Sequence, residues 1–187
     1  MSTVYFQQAR DYILRGGDGS CGIIISPDTV ATYLHDNHTQ WVVGQEVAFY
    51  QRDGTKIKLK VSNIHPPGDT ILLKSAQQRM NAPDLNTDDV DTLCGAKYMM
   101  IGLSGKDAAL RPREGILQGA ARHGPYMIGS SGSSKGDSGG GVFDINNPDI
   151  LLGMNIGHSP NIEYAVQDCY TPPSAWIVPS GLLKLLS

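Results

Sequence analysis

The chain has 187 residues, 40% of them hydrophobic, and 15 lysines and arginines against 18 aspartates and glutamates for a formal net charge of -3. That length and hydrophobic content suit one compact domain, or two small barrels sharing a core. The charge balance gives no general case for nucleic acid or an anionic membrane, and no apolar run reaches the length of a membrane-crossing helix.

The N-terminus, Met1 to Gln8, lacks the basic region and apolar core of a secretory signal. From Val4 to Arg15, apolar residues at Tyr5, Phe6, Ala9, Tyr12 and Ile13 follow helical spacing, which predicts a short helix ended by Gly16-Gly17-Asp18-Gly19. The period then changes. Gly22-Ile23-Ile24-Ile25 and Thr29 to Leu34 predict two strands joined by a turn at Ser26-Pro27-Asp28, and the second ends at His35. Gln40 to Tyr50 reads as one long strand. Lys56, Lys58 and Lys60 alternate with Ile57, Leu59 and Val61, so one face of that strand is wet and the other buried. The lysine face is either a candidate RNA-binding strip or a solvated, protected edge. Asp69 leads the next strand, Thr70 to Leu73.

Residues 76–95 are polar, acidic and rich in turn formers, and residues 79–95 read as a linker between a first β-module, 1–78, and a second, 96–187. Strand signals resume at Lys97 to Leu103, Gly115 to Ala120, Tyr126 to Gly129, Gly141 to Asp144, Ile150 to Ile156 and Glu163 to Val166, and a short helix closes the tail near Leu186. Short strands at this spacing predict an all-β sandwich or barrel. Cys21, Cys94 and Cys169 are odd in number and lack the close pairing that zinc requires, so no metal or other cofactor is expected. They read as buried, reduced thiols of an intracellular protein.

The stretch that carries chemistry is Gly136-Asp137-Ser138-Gly139-Gly140, after a loop of small residues from Ser130 to Lys135. A glycine-rich turn of this kind can aim two backbone N–H groups, here those of Gly136 and Ser138, at one oxyanion. A serine hydroxyl in such a turn is a candidate nucleophile if a base can reach it and a third group can orient the base. His35 is a candidate base because it ends a strand; His38, His65, His123 and His158 lie in or near loops. Asp69, directly before an apolar strand, is a candidate orienter, while Asp36 and Asp53 compete from turns.

Together, the Cys21-Gly-Ile-Ile-Ile-Ser strand, the Val30 to His35 strand, the Asp69-Thr-Ile-Leu-Leu segment and Gly136-Asp-Ser138-Gly-Gly resemble the chymotrypsin-like serine proteases. The short intervals between His, Asp and Ser are most similar to the 3C-like serine proteases of positive-strand RNA viruses, such as sobemoviruses, astroviruses and arteriviruses. The resemblance implies two six-stranded antiparallel β-barrels with short terminal helices, and a triad of His35, Asp69 and Ser138. It further implies an acyl-enzyme mechanism without metal, a viral polyprotein as substrate, and the host-cell cytoplasm as location. It places Ser133, Asn155, Ile156, Gly157 and His158 around the substrate. The chain departs from secreted members in having Asp36, not cysteine, after His35. In members made from zymogens the aspartate before the serine binds a new N-terminal amine; the partner of Asp137 is open. The rival readings are a protease-fold module that binds RNA or protein, and a cellular trypsin-like protease.

Overall fold

The computed structural model describes residues 3–104, 109–157 and 174–187. Helix α1 (Thr3–Ala9) is shorter than its sequence pattern predicts: a 3-10 turn at Arg10–Tyr12 follows, and Ile13 opens strand β1 (Ile13–Gly16). Phe6 and Ala9 keep the helical spacing, but the first barrel needs a sixth strand to close, and Ile13 to Gly16 supply it. Strands β2 (Cys21–Ser26), β3 (Thr29–Tyr33), β4 (Glu46–Tyr50), β5 (Lys56–His65) and β6 (Thr70–Lys74) complete a closed barrel in the order β1-β2-β3-β6-β5-β4. The long strand expected over residues 40–50 exists only from Glu46. Asp36–Gln40 is a 3-10 turn, and Val42 and Val43, whose β-branched side chains suggested a strand, are 62% and 64% exposed.

The expected linker contains a two-residue strand, β7 (Asp84–Leu85). Strands β8 (Lys97–Gly102), β9 (Arg111–Ala120), β10 (Met127–Gly129), β11 (Gly141–Asp144), β12 (Ile150–Gly157) and β13 (Ala175–Pro179) form the second barrel. Its order is β11-β8-β9-β10-β13-β12, closed by pairing of β11 with β12, and β7 lies parallel to β12. The tail is a strand before it is a helix, since β13 precedes α2 (Ser180–Leu186). The strand expected at Glu163 to Val166 lies outside the described residues, as does Cys169. The architecture is all-β, two closed six-stranded antiparallel barrels with two short helices.

Three apolar clusters explain why so many strands read as continuous apolar runs. Ile24, Val30, Phe49, Ile57, Leu59 and Ile71 fill the first barrel, and Tyr98, Met100, Leu117, Val142 and Leu152 the second. The alternate residues of the same strands, Ile23, Ile25, Ala31, Met99, Ile101 and Phe143, meet in a third cluster shared by both barrels, together with Ala9 and Tyr12. Strands buried on both faces lose the wet-dry alternation. Gly139 sets how close the barrels come, because a Cβ there would lie 1.9 Å from the Cys21 carbonyl oxygen.

Candidate active site

Three side chains far apart in sequence meet where the barrels touch. The His35 ring leaves the end of β3, with Nδ1 2.5 Å from Asp69 Oδ2 and Nε2 3.0 Å from Ser138 Oγ. Asp69 is aimed by its backbone: it follows a 3-10 turn at Pro66–Gly68 and takes the left-handed conformation, φ 47°. That conformation is unfavourable for most side chains but tolerated by aspartate. The turn is tied by the N–H of Gly68, which donates to Nδ1 of His65, and by the Thr70 hydroxyl, which donates to the Gly68 carbonyl. With one oxygen on the imidazole, Asp69 uses the other, Oδ1, to accept the N–H groups of Leu34 and His35 at 3.0 and 2.9 Å. A carboxylate held by three hydrogen bonds fixes both the tautomer and the plane of the ring it faces.

The competing carboxylates do other things. Asp36 reaches within 4.0 Å of His35 Nε2, but its side chain is 72% exposed. Asp53 caps its own turn, accepting the Thr55 N–H. Of the other histidines, His65 serves the Asp69 turn, His123 is exposed, and His158 lies outside the described residues. His38, in what reads as a polar loop, is fully buried.

Ser138 sits in a turn whose glycines take positive φ, 97° at Gly136 and 84° at Gly139. Among the described residues the N–H groups of Gly136 and Ser138 donate to no acceptor, while those of Asp137, Gly139 and Gly140 are bonded to Ser134, Asn155 and Asp137 carbonyls. These two unused N–H groups are the ones expected from the sequence to meet an oxyanion. Asn155 and Ser133 come together as expected, but toward the protein: Asn155 is fully buried, and its Nδ2 donates to Ser133 Oγ at 3.0 Å and to the Asp137 carbonyl at 2.9 Å. A carbonyl only accepts, so this contact fixes the orientation of the amide. Asn155 thus latches the nucleophile turn to β12. Gly157 backs the nucleophile, since a Cβ there would lie 3.3 Å from Ser138 Oγ, and Ile156 is half-buried beside it.

Asp137, whose partner the sequence leaves open, has one. Its side chain is 1% exposed, and Oδ2 lies 3.3 Å from Nη2 of Arg113 on β9 and accepts the Ser134 N–H at 2.8 Å. The same nitrogen of Arg113 donates to Ser104 and Ser134 hydroxyls at 2.9 and 3.2 Å. Gly102 makes room, because a Cβ there would stand 2.5 Å from Asp137 Oδ1. Arg113 was not legible as a site residue; the one signal was an aspartate in the nucleophile motif that lacked a cation. Nearby, burial pushes the Cys21 thiol well above its ordinary range, which makes it an inert core side chain. Cys94, expected to be buried, is exposed.

The arrangement can take a proton from a serine, hold the resulting imidazolium against a carboxylate, and stabilise an oxyanion beside it. No family model and no curated protein matches the sequence. Solved structures do match in fold. The MamO protease domain from Magnetospirillum magneticum superposes with a TM-score of 0.70 at 17% identity, covering 96% of this chain and 97% of that one. The active form of the Rv3671c protease from M. tuberculosis gives 0.72 at 18% identity, covering 97% of this chain and 82% of that one. The serine endoprotease from Yersinia pestis gives 0.70 at 16% identity, covering 99% and 65%. The shared feature at these identities is the chymotrypsin-like double barrel.

Proposed function

We propose that the chain is a serine endopeptidase. Ser138 Oγ attacks the scissile carbonyl, His35 Nε2 accepts its proton and returns it to the leaving amine, and Asp69 holds the imidazole. The N–H groups of Gly136 and Ser138 receive the oxyanion, and water then clears the acyl-enzyme. The observation that carries this reading is the unbroken line from Asp69 Oδ2 through His35 to Ser138 Oγ, at 2.5 and 3.0 Å, beside two unused N–H groups. The end of β12, with Ile156 and Gly157, would lie along the substrate backbone, and Ser133 and Asn155 would brace that wall.

We also propose the finer reading, a 3C-like enzyme that cuts a viral polyprotein in the host cytoplasm. Its support is the short interval from His35 to Asp69 to Ser138, the Asp36 that follows His35, and the free thiols of Cys21 and Cys94. A second role, RNA binding, is favoured by one observation. Lys56, Lys58 and Lys60 line a groove of about 400 Å³ with Lys74 and one acid, Glu46, and Lys60 pairs directly opposite Lys74, a like-charge placement that a bound anion would ease.

The experiment is a peptide library read by mass spectrometry, together with fluorophosphonate labelling. The wild type cleaves internal peptide bonds and is labelled at Ser138. Ser138→Ala and His35→Ala each lose on the order of 10⁶-fold in kcat. A Ser138→Ala variant that turns over normally would end the proposal.

A further inference from the structure

His38 is the fully buried member of the described histidines, at 0% exposure. A buried imidazole must find partners for its nitrogens. Its Nδ1 lies 2.8 Å from the Tyr33 carbonyl oxygen, and its Nε2 lies 3.2 Å from Oδ2 of Asp18, in the turn between β1 and β2. A carbonyl and a carboxylate only accept, so each ring nitrogen faces an acceptor and the ring is held at both edges. Burial works to raise the Asp18 pKa, but hydrogen bonds from Ser20 and the interaction with His38 outweigh it and hold the carboxyl below its ordinary value.

The faces of the His38 ring are also occupied. Trp41 stacks at 3.9 Å between ring centroids and Tyr33 at 4.3 Å, inclined by 26° and 20°. Tyr33 has the His35 ring at 4.4 Å, inclined by 30°. Two rings at such separations cannot share one face, so Tyr33 lies between the two histidines. A pile of four rings therefore runs from the proposed base, His35, to Trp41. The main chain gives a second connection, since the His38 N–H donates to the His35 carbonyl at 3.3 Å and the Trp41 N–H to the His38 carbonyl at 3.0 Å.

Hydrogen bonds at the ring edge fix its rotation and stacking fixes its plane. An apolar ring would fill the same space without the first constraint. Building on the endopeptidase reading, we propose that His38, clamped by Asp18, is a positioning residue for His35. It sets the tilt of the base through Tyr33 and anchors the turn that follows it, while touching neither Ser138 nor the substrate. The Asp18–His38 pair is thus a second His–Asp pair, placed behind the first.

The test uses three variants of the full chain. His38→Gln keeps a donor and removes the ring, His38→Phe keeps the pile and removes both polar ring edges, and Asp18→Asn keeps the ring and alters the clamp. A misplacement of about 1 Å can cost about 10²-fold, so His38→Gln should lose about 10- to 100-fold in kcat with KM held within about threefold. His38→Phe and Asp18→Asn should each lose about 3- to 10-fold on the same ground. A structural readout runs in parallel: the low-field proton of the short bond from His35 Nδ1 to Asp69 should broaden or move in His38→Gln. A folded His38→Gln with wild-type kcat and an unmoved proton signal overturns the proposal. If that variant does not fold, His38→Phe and Asp18→Asn decide it, and wild-type kcat with an unmoved signal in both is the overturning result. A wild type that fluorophosphonate cannot label at Ser138 sinks the endopeptidase reading instead, while the His35 proton still reports whether His38 positions the ring.

Discussion

A carboxylate with 1% exposure next to Ser138 is a demanding group to keep in a protein. Asp137 is kept there by Arg113, and removing that partner leaves a buried charge with the Ser134 N–H as its remaining hydrogen bond. Such losses run to about 3–5 kcal/mol; because the Arg113 side chain is 29% exposed, water can partly replace it, and about 2–3 kcal/mol is expected for Arg113→Met. Urea unfolding measures this, and a loss below about 0.5 kcal/mol, the range of neutral surface changes, would remove Arg113 from the role of counter-ion. Arg113→Lys should be intermediate, because it keeps the charge but not the guanidinium nitrogen, Nη2, that meets Asp137, Ser104 and Ser134 together. Asp18 gives a pH signature. Folding lowers its pKa below the ordinary 3.8, so its contribution is present above that value and fades as pH falls through the folded value. The stability gap between wild type and Asp18→Asn should therefore be open at neutral pH and close in acid, as urea unfolding at about pH 7 and about pH 3 would show. At this scale the sequence pointed to His35, Asp69 and Ser138, which the structure brings together, because the residue types able to do such chemistry are few. It could not name Arg113, His38 or Asp18, because their roles arise from barrel register and burial, and an arginine in a strand or a histidine in a polar loop carries no local mark of either.

At the scale of elements, the strands that hold the site were legible where both faces are buried, and the errors lie where a β-branched run is not. Trp41-Val42-Val43 reads as strand, but Val42 and Val43 face solvent, and the Val42 N–H donates to the Gln45 side chain instead of a neighbouring strand. Ile13 fits a helical stripe and also fits a strand; the tertiary demand of a closing barrel decides between them. Asp69 was expected at the front of a strand and instead occupies the left-handed residue before it, a position that no periodicity encodes. The turn after the nucleophile is the element on which the two barrels depend. Gly139 combines φ 84° with a Cβ position 1.9 Å from the Cys21 carbonyl. Gly139→Ala should then cost about 3 kcal/mol or more, from left-handed strain of about 1–2 kcal/mol and overpacking of about 1–3 kcal/mol. It should abolish fluorophosphonate labelling as the barrels part. Gly19→Ala shares the positive φ but meets nothing within 4 Å, so it separates strain from collision: labelling should survive there. Equal labelling of the two variants would mean that the barrel contact is not what holds Ser138 against His35.

Across the whole molecule, the net charge of -3 conceals an uneven distribution. The outer face of β5 is a row of lysines two residues apart, and β6 adds Lys74, which opposes Lys60. Glu46 pairs with Lys60 from β4, and Asp28 lies 3.7 Å from Lys74. These two acids balance half of the four lysines, and a polyanion lying along the strand meets a lysine about every 7 Å. If three phosphates are neutralised on a single strand, the logarithm of affinity should fall with that of salt at a slope of about -2, or roughly 20-fold between about 50 and 200 mM. Fluorescence anisotropy with a labelled single-stranded RNA measures the slope. Lys58→Glu with Lys60→Glu should flatten it and weaken binding at every sequence tested. Peptide cleavage should be unchanged, because none of the triad residues, His35, Asp69 and Ser138, lines the groove. A slope that persists in the double variant would move the RNA to another face, and an affinity indifferent to salt in the wild type would leave the lysine row as a solvated surface, with the endopeptidase reading untouched.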